Sequence, residues 1–307
     1  MAIRIGIVGL GKIAHDQHLP VITASGDFEL AATASHHGHV DGVPGYHSIE
    51  EMLAAQDDLE AVSLCQPPQA RFDAARKALE AGKHVFLEKP PGSSLSEVEL
   101  LREIAERRGL TLFASWHSRY APGVGRAKAW LAERPLRRVT VQWKEDVRRW
   151  HPGQAWIWQP GGFGVFDPGI NALSIVTHIL PKGFHLGTAT LFFPSNCGAP
   201  IAADLRFQDL DGVPIEAEFD FLQTGPQTWD IRAETDDGEL VLSMGGAELS
   251  LAGVNQVLEP EAEYRGLYDR FAELVRTGRS DVDVAPLRHV ADAFLRGERR
   301  VVEPFED

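Results

Sequence analysis

The first third of the chain alternates short apolar runs with longer stretches in which apolar residues recur every three or four positions. Short β-branched runs predict buried strands, and the longer spacing predicts helices that lay one face on them. Strands joined by helical crossovers form a parallel sheet, so residues 1–120 predict a doubly wound α/β domain. The predicted strands are 3–9, 30–35, 61–65, 84–87 and 112–115, and the predicted helices include 49–55, 71–81 and 95–107.

The pattern changes after residue 120. Between residues 185 and 258, apolar residues alternate with polar ones, and the turns contain pairs such as Asp211-Gly212 and Asp237-Gly238, which suit hairpins. Residues 121–307 therefore predict an α+β domain with an open, largely antiparallel sheet and helices on one face. An uncovered apolar sheet face is a liability for a monomer, so this sheet is a candidate surface for a homo-oligomer. Strands are predicted at 203–207, 215–222, 228–234, 239–243 and 247–251, and helices near 124–133, 167–180, 263–276 and 286–295; a further run spans 139–146, after the first of these helices.

Composition narrows the class of protein. The net charge of the 307 residues is −14, and no basic stripe is present, which argues against nucleic acids and anionic membranes as partners. No apolar run approaches the roughly 20 residues of a membrane span. The chain enters its first strand after two residues, which leaves no room for a secretion signal, and Cys65 and Cys197 are its only cysteines. We therefore expect a cytoplasmic protein with reduced thiols.

The first predicted strand ends in the segment Gly9-Leu10-Gly11-Lys12-Ile13-Ala14, which opens a helix. This geometry presents backbone N–H groups and the positive end of a helix to a pyrophosphate. Gly9 permits the tight turn, Gly11 allows the phosphates to approach the backbone, and Ala14 lets the helix lie close to the strand. The segment predicts a dinucleotide site.

The end of the second predicted strand bears on which dinucleotide binds. An acidic residue there would accept a hydrogen bond from the ribose of NAD and repel a 2′-phosphate. This chain has Ser35, His36 and His37 instead, with Lys12 in the glycine turn, and such donors suit a phosphate. We predict that NADP is used at least as well as NAD. No metal site is expected, because the histidines form no ligand-spaced set with the cysteines.

Two further segments carry candidate chemistry. Glu88-Lys89-Pro90 follows a buried strand, at the edge where parallel sheets place ligands, and a surface charge pair is the equally weighted alternative. Residues 143–158 hold four of the seven tryptophans together with charged residues. They predict either the wall of a sugar pocket or a long loop anchored to the sheet. His117 is a further candidate at the mouth of the first sheet. His18 either faces the cofactor cleft or has a solvated or capping role.

Several segments, in this order along the chain, resemble the Gfo/Idh/MocA family of nicotinamide-dependent oxidoreductases. They are residues 9–14, 78–85, 88–90 and 161–171. Within that family, residues 116–119, 143–152 and 166–171 are similar to those of dehydrogenases that oxidise L-arabinose and D-galactose at C1. The resemblance implies an N-terminal Rossmann domain that holds the nicotinamide over the mouth of the sheet, and a substrate-binding second domain.

The resemblance also implies roles for individual residues, with Lys89 as the active-site lysine. Many members carry Asp and, four residues later, His on one helix face, where this chain has Asp167 and Asn171. Four residues make one helical turn, so both side chains can reach one substrate. Asparagine cannot act as a general base, which moves the role of proton acceptor toward Asp167, with Lys89 as the competing candidate. Arg71 is a second departure, because many relatives have histidine there.

These inferences define the residues expected at the site. Those assigned to the cofactor are Gly9, Gly11, Lys12, Ile13, Ser35, His36, His37, Pro67, Glu88 and Lys89. Those assigned to the sugar are His117, Glu145, Trp150, His151, Asp167 and Asn171.

The leading hypothesis is an enzyme that oxidises the anomeric carbon of an aldose, L-arabinose and also D-galactose, to a lactone. In it, Asp167 accepts the proton, Lys89 polarises the oxygen and Asn171 orients the sugar. The alternatives are another dehydrogenase of the family, acting on inositol or a diol, and a sugar-sensing regulator without turnover. The presence of both Lys89 and Asp167 argues against the regulator.

Overall fold

The computed structural model describes residues 1–36, 38–260 and 262–306. It divides into two compact units, the first comprising Met1–His117 and Tyr264–Val284 and the second comprising Ser118–Glu263 and Ala285–Asp307. The division after His117 falls near the predicted boundary at residue 120. Tyr264–Val284, which the sequence pattern assigns to the second domain, belongs to the first unit.

The first unit is built on a parallel sheet of six strands. They are β1 (Ile3–Val8), β2 (Phe28–Ala34), β3 (Gly45–Tyr46), β4 (Ala61–Leu64), β5 (His84–Leu87) and β6 (Leu112–Ala114). Their order is β3-β2-β1-β4-β5-β6, and every pairing is parallel. The chain leaves β1 in one direction for β2 and returns to its other side for β4, so the strand order reverses beside β1. Ligands bind at such a reversal, outside the carboxyl ends of the strands. The helices of this unit are α1 (Leu19–Ala24), α2 (Ile49–Ala55), α3 (Pro68–Glu80), α4 (Leu95–Arg108) and α8 (Glu263–Thr277).

The helix α8 covers an aromatic surface of this sheet. Phe271 is fully buried, and its ring stacks on Phe28 at 6.0 Å and meets the edge of Phe86 at 5.5 Å. Burying an aromatic ring removes about 150–250 Å² from water, so this contact ties a late segment to the first unit. The sequence pattern predicts the apolar stripe of the helix but does not say which sheet the stripe covers.

The second unit is built on a larger, mixed sheet. Its strands are β7 (Leu136–Lys144), β8 (Phe184–Pro194), β9 (Ala202–Asp209), β10 (Pro214–Asp220), β11 (Thr228–Thr235), β12 (Gly238–Ser243), β13 (Glu248–Leu251), β14 (Val254–Asn255) and β15 (Glu298–Val302). Their order is β14-β13-β12-β11-β7-β10-β9-β8-β15, largely antiparallel, with β10 parallel to β7 and β15 parallel to β8. The helices of this unit are α5 (Val124–Leu131), α6 (Val147–Trp150), α7 (Phe166–Ile179) and α9 (Ala285–Arg296). The strands β8, β14 and β15 were not predicted; the residues of β15, for example, are exposed and show no apolar alternation.

The helix α7 lies close to the sheet because of Gly169. A Cβ atom at this position would come within 2.7 Å of the ring of Phe219 on β10. The missing side chain therefore lets the first turn of α7, which carries Asp167, approach the strand.

The strand positions that face away from the helices are polar. Glu216 on β10 pairs with Arg138 on β7, and Glu218 pairs with Lys144 at 2.6 Å. The outer surface of this sheet is therefore charged where an apolar surface was expected, so any association through it would use polar contacts. Among the residues described by the structure, no helix is both long enough and apolar enough to cross a lipid bilayer.

Candidate active site

The glycine turn lies at the carboxyl end of β1, beside a cavity of about 510 Å³. Gly9 has a φ of +91°, and a Cβ atom there would meet the Cγ atom of Gln66 at 2.9 Å, so only glycine fits. At Gly11 an added Cβ atom would point into open space. Gly9, Gly11 and Pro67 line the cavity, and the bare backbone at the turn fits a dinucleotide phosphate.

Residues after β2 line the same cavity. Ser35 and His36 both contribute to its wall, and the Ser35 hydroxyl accepts a hydrogen bond from the Leu10 N–H at 3.4 Å. His37 lies outside the described residues. Lys12 and Ile13, also assigned to the cofactor, are exposed and do not line the cavity, and Lys12 pairs with Asp16 one helical turn later.

Glu88 and Lys89 follow β5, at the same edge of the sheet. Glu88 is almost completely buried, whereas Lys89 is half-buried. One carboxylate oxygen of Glu88 accepts the N–H of Lys89. Its other oxygen lies 3.3 Å from Nε2 of His18 and accepts the Tyr264 hydroxyl at 2.5 Å. The Glu-Lys pair is therefore not a surface ion pair, because the carboxylate points into the unit and fixes the backbone that carries the lysine.

The contacts of Glu88 hold it ionised. Burial on its own raises the pKa of Glu88, but the hydrogen bond and charge of His18, with His117 and Tyr264, outweigh burial and lower the pKa to about 2. For His18, burial on its own lowers the pKa. The facing Cys65 and Tyr268 groups and the hydrogen bond to Glu88 outweigh burial and raise the pKa well above its ordinary value. The pair is thus an imidazolium and a carboxylate inside the first unit.

His18 and His117 occupy different surroundings. His18 is fully buried, and its Nδ1 atom lies 2.7 Å from the Tyr268 hydroxyl, so neither a solvated nor a capping role applies to it. The ring of His117 stacks on Tyr264 with 5.5 Å between centroids. Tyr264 therefore links His117 to the carboxylate of Glu88.

The second unit carries a separate cluster of buried acidic groups around one imidazole. His151 follows the short helix α6, and its Nε2 atom lies 3.3 Å from Glu145. Its Nδ1 atom lies 3.7 Å from Asp167. Glu145 and Asp167 are 3% and 4% exposed, which makes this cluster a concentration of charge with little access to water. The two carboxylates face opposite nitrogens of one ring, so they do not converge on a point as metal ligands would.

Indole rings surround this cluster. The Trp229 N–H donates a hydrogen bond of 2.8 Å to the carboxylate of Glu145. The centroid of the Trp229 ring lies 5.1 Å from that of Trp150 and 5.8 Å from that of Trp143. Flat apolar rings beside hydrogen-bonding groups match the two kinds of surface on a sugar ring. Trp158 packs on Phe305 and on Phe221, and the ring of Phe221 in turn contacts His151, so the tryptophan segment supplies both a wall for the cluster and anchors for its loop.

Asp167 and Asn171 lie one turn apart on α7, as their spacing predicts. Asp167 is buried and Asn171 is partly exposed. The asparagine can present both an amide donor and a carbonyl acceptor beside the acidic cluster.

Three residues around Glu88 and Lys89 or around His151 could not be assigned to the site from the sequence pattern. Trp229 comes from β11, far from the tryptophan segment in sequence. Tyr264 lies on α8, which the sequence pattern assigns to the other domain. Arg71 was singled out only as a departure from relatives, and the structure shows its guanidinium buried against the segment that carries Lys89.

This chain is similar to proteins of known family. Residues 3–115 match the family model described as "Oxidoreductase family, NAD-binding Rossmann fold". The galactose 1-dehydrogenase of Pseudomonas fluorescens is 47% identical over 305 residues, which cover 99% of each chain. This chain belongs to the Gfo/Idh/MocA family. The family and Rossmann-fold predictions are therefore confirmed.

Further relatives agree with this membership. The crystal structure of a D-galactose-1-dehydrogenase protein from Rhizobium etli superposes with a TM-score of 0.96 at 62% identity, covering 99% of this chain and 98% of that one. A D-xylose 1-dehydrogenase (NADP(+)) of Haloferax volcanii is 28% identical over 90% of each chain. All three of these relatives are named as sugar 1-dehydrogenases.

Proposed function

We propose that this protein is an aldose 1-dehydrogenase that oxidises the anomeric carbon of D-galactose to a lactone and passes a hydride to NADP⁺. L-Arabinose is the second substrate, because the two sugars share their ring stereochemistry from C2 to C4. Two relatives named for galactose oxidation, at 47% and 62% identity over nearly the whole chain, support the sugar.

The observation that carries the proposal is the position of His151 between Glu145 and Asp167, walled by indole rings. Oxidation at C1 requires an acceptor for the hydroxyl proton. Asp167 is a buried carboxylate at the start of a rigid helix, and His151 beside it supplies a route by which the proton can leave. The indole rings supply the flat surface that a sugar's C–H face requires.

Each residue then has a defined task. Asp167 takes the proton of the C1 hydroxyl, and a C1–O double bond forms as the hydride leaves C1. The Lys89 amine polarises that oxygen, and Asn171 and Glu145 orient the ring by hydrogen bonds to its other hydroxyls. A bound nicotinamide supplies the hydride acceptor.

The proposed preference for NADP rests on the end of β2. Ser35 and His36 line the cavity there, and neither is acidic. A hydroxyl and an imidazole accommodate a 2′-phosphate, which a carboxylate at this position would repel. Glu50 and Asp73 also line the cavity, but Glu50 is paired with Lys77.

The test is a panel of aldoses with NADP⁺ and NAD⁺, followed by the absorbance of the reduced nicotinamide. D-Galactose and L-arabinose should be turned over, and D-glucose, the C4 epimer of galactose, should be a poorer substrate. If no aldose reduces either cofactor while a sugar still binds, as measured by calorimetry, the protein is a sugar-binding regulator and the proposal is wrong.

A further inference from the structure

Arg71 is the buried cation of helix α3. Its side chain is 2% exposed, whereas Arg76, on the same helix, pairs with Glu80 at the surface. Burying a guanidinium is energetically costly unless its donors are hydrogen-bonded. The surroundings of Arg71 must therefore supply acceptors that are held in place.

Those acceptors are backbone carbonyls of the segment that follows β5. Nη1 of Arg71 donates to the carbonyl oxygens of Glu88 and Pro90. Nη2 donates to the carbonyl oxygen of Gln66, two residues beyond the end of the neighbouring strand β4. The strand β5 ends at Leu87, so the carbonyls of Glu88 and Pro90 lie beyond the sheet and take their hydrogen bonds from a side chain.

The two carbonyls that Arg71 holds lie on either side of Lys89. The N–H of Lys89 is held separately, by the carboxylate of Glu88, which His18 and Tyr264 fix in turn. The backbone that carries the lysine is thus tied by Arg71 through both flanking residues and by Glu88 through its own N–H. The planar fork of a guanidinium fixes two acceptors in one geometry, which the single ammonium of a lysine cannot reproduce.

We propose that Arg71 is a positioning residue for Lys89, holding the amine of that lysine in its reactive orientation without touching the substrate. The proposal rests on the proposed function only in taking Lys89 as the group that polarises the sugar oxygen. It also gives the departure from histidine at this position a meaning: this chain fixes the segment through a two-pronged side chain.

The experiment compares Arg71→Lys, Arg71→His and Arg71→Met with the matched control Arg76→Met, which lies on the exposed side of the same helix. Folding is measured by thermal unfolding and cofactor binding by NADPH fluorescence. A displacement on the order of 1 Å at a catalytic group lowers turnover about 100-fold, so kcat on D-galactose should fall by about that factor in Arg71→Met. KM for the sugar and Kd for NADPH should change little, and Arg71→His should be intermediate because it keeps one donor.

A second readout does not depend on activity. The rate of reductive methylation of Lys89 is measured by peptide mass spectrometry in the protein without cofactor, with the partly exposed Lys83 as internal reference. The ratio of the two rates should change in all three Arg71 variants and stay at the wild-type value in Arg76→Met. If Arg71→Met does not fold, Arg71→His decides by the same two readouts.

Two results would overturn the proposal. One is a folded Arg71 variant with wild-type kcat, and the other is a fall in kcat with an unchanged methylation ratio, which would place the effect of Arg71 elsewhere. If the wild-type protein oxidises no aldose, the proposed function fails, and the methylation ratio still decides whether Arg71 positions Lys89.

Discussion

Nε2 of His18 lies 3.3 Å from Oε1 of Glu88, joining two buried side chains that are 70 residues apart in sequence. Breaking a buried ion pair by removing one partner typically costs about 3–5 kcal/mol, because the other charge loses its partner. The contact therefore links the stability of the first unit to the backbone of Lys89, whose N–H the same carboxylate accepts.

This pair predicts a pH dependence of unfolding. The pKa of Glu88 is lowered to about 2, so its contribution is present above the ordinary value of 4.5 and is lost as pH falls from there through 2. The pKa of His18 is raised, so its contribution is present below the ordinary value of 6.5 and is lost as pH rises through the raised value. The free energy of unfolding should thus be greatest between pH 4.5 and pH 6.5 and should decline at lower and at higher pH.

The variant Glu88→Gln tests this dependence in urea unfolding series at several pH values. It should be less stable by about 3 kcal/mol at pH 6 and should lose the decline on the acid side. Glu298→Gln is the control, because the ion pair of Glu298 with Arg300 is exposed to water and contributes little to stability, so the acid decline should keep nearly its full size. If stability declined at acid pH as much in Glu88→Gln as in the wild-type protein, the acid decline would not come from the pair of His18 and Glu88.

Asp167→Asn should lower kcat on D-galactose by about 10²–10⁴, because the amide cannot accept the proton. Shape is preserved, so KM should change far less. Asp209→Asn is the control, since Asp209 is also buried in the second unit but only accepts N–H groups of the turn after β9. Near-normal turnover in Asp167→Asn would exclude this carboxylate as the acceptor and leave Lys89 as the candidate.

Trp229→Phe removes the N–H that holds Glu145 while keeping an aromatic ring. Hydrogen bonds to charged groups contribute about 1.5–3 kcal/mol, so the affinity for the sugar should fall about tenfold or more. Titration calorimetry with D-galactose measures the effect. Trp143→Phe is the control, because the Trp143 N–H has no hydrogen-bond partner among the residues that the structure describes. Equal losses in the two variants would mean that ring packing, and not the bond to Glu145, sets the affinity.

Ser35→Asp should shift the cofactor preference from NADP toward NAD. The carboxylate can still accept the Leu10 N–H, as the Ser35 hydroxyl does, but it repels a 2′-phosphate. The ratio of kcat/KM for NADP⁺ to that for NAD⁺ should fall by about 100-fold, which corresponds to roughly 2.7 kcal/mol. Ser25→Asp adds a carboxylate away from the cavity and should leave the ratio unchanged. A preference for NAD already in the wild-type protein would mean that the end of β2 does not select for the phosphate.

A fifth prediction concerns the charged face of the second sheet. Asp204 on β9 lies directly opposite Glu218 on β10. Partial burial, and then the facing Glu218, raise the pKa of Asp204, so its ionised form is a penalty at neutral pH that is relieved as pH falls through the raised value. Asp204→Asn should therefore increase the free energy of unfolding at pH 7 by about 0.2–1 kcal/mol.

The control for this prediction has the opposite sign. Glu216→Gln, on the same strand as Glu218, removes a carboxylate that faces Arg138 and Arg206, and it should lower stability slightly. If Asp204→Asn were the less stable of the two, like-charge repulsion would not govern this pair.

Local patterns predicted the elements of the first unit closely. The helix at 49–55 and the strand at 84–87 have the predicted bounds, because capping residues and short apolar runs act over a few neighbouring positions. The shared helix face of Asp167 and Asn171 was predictable for a similar reason, since it depends only on the helical period.

Long-range partners could not be predicted in this way. Nothing around His18 indicates that Glu88 and Tyr268 will meet it, since these contacts form only when the sheet and α8 assemble. Trp229 reaches Glu145 because β11 pairs with β7, a register that alternation alone does not define. The same holds for Arg71, whose acceptors are carbonyls that any sequence would offer.

The return of Tyr264–Val284 to the first unit has a consequence for synthesis of the protein. As the ribosome extends the nascent chain, the Rossmann sheet emerges first but lacks the helix that covers Phe28 and Phe86. Those rings stay uncovered until the whole second sheet except β15 has been translated, a window in which chaperones could bind them. The dinucleotide-binding sheet of this protein is thus made before the second sheet but is covered only after most of that sheet has been made.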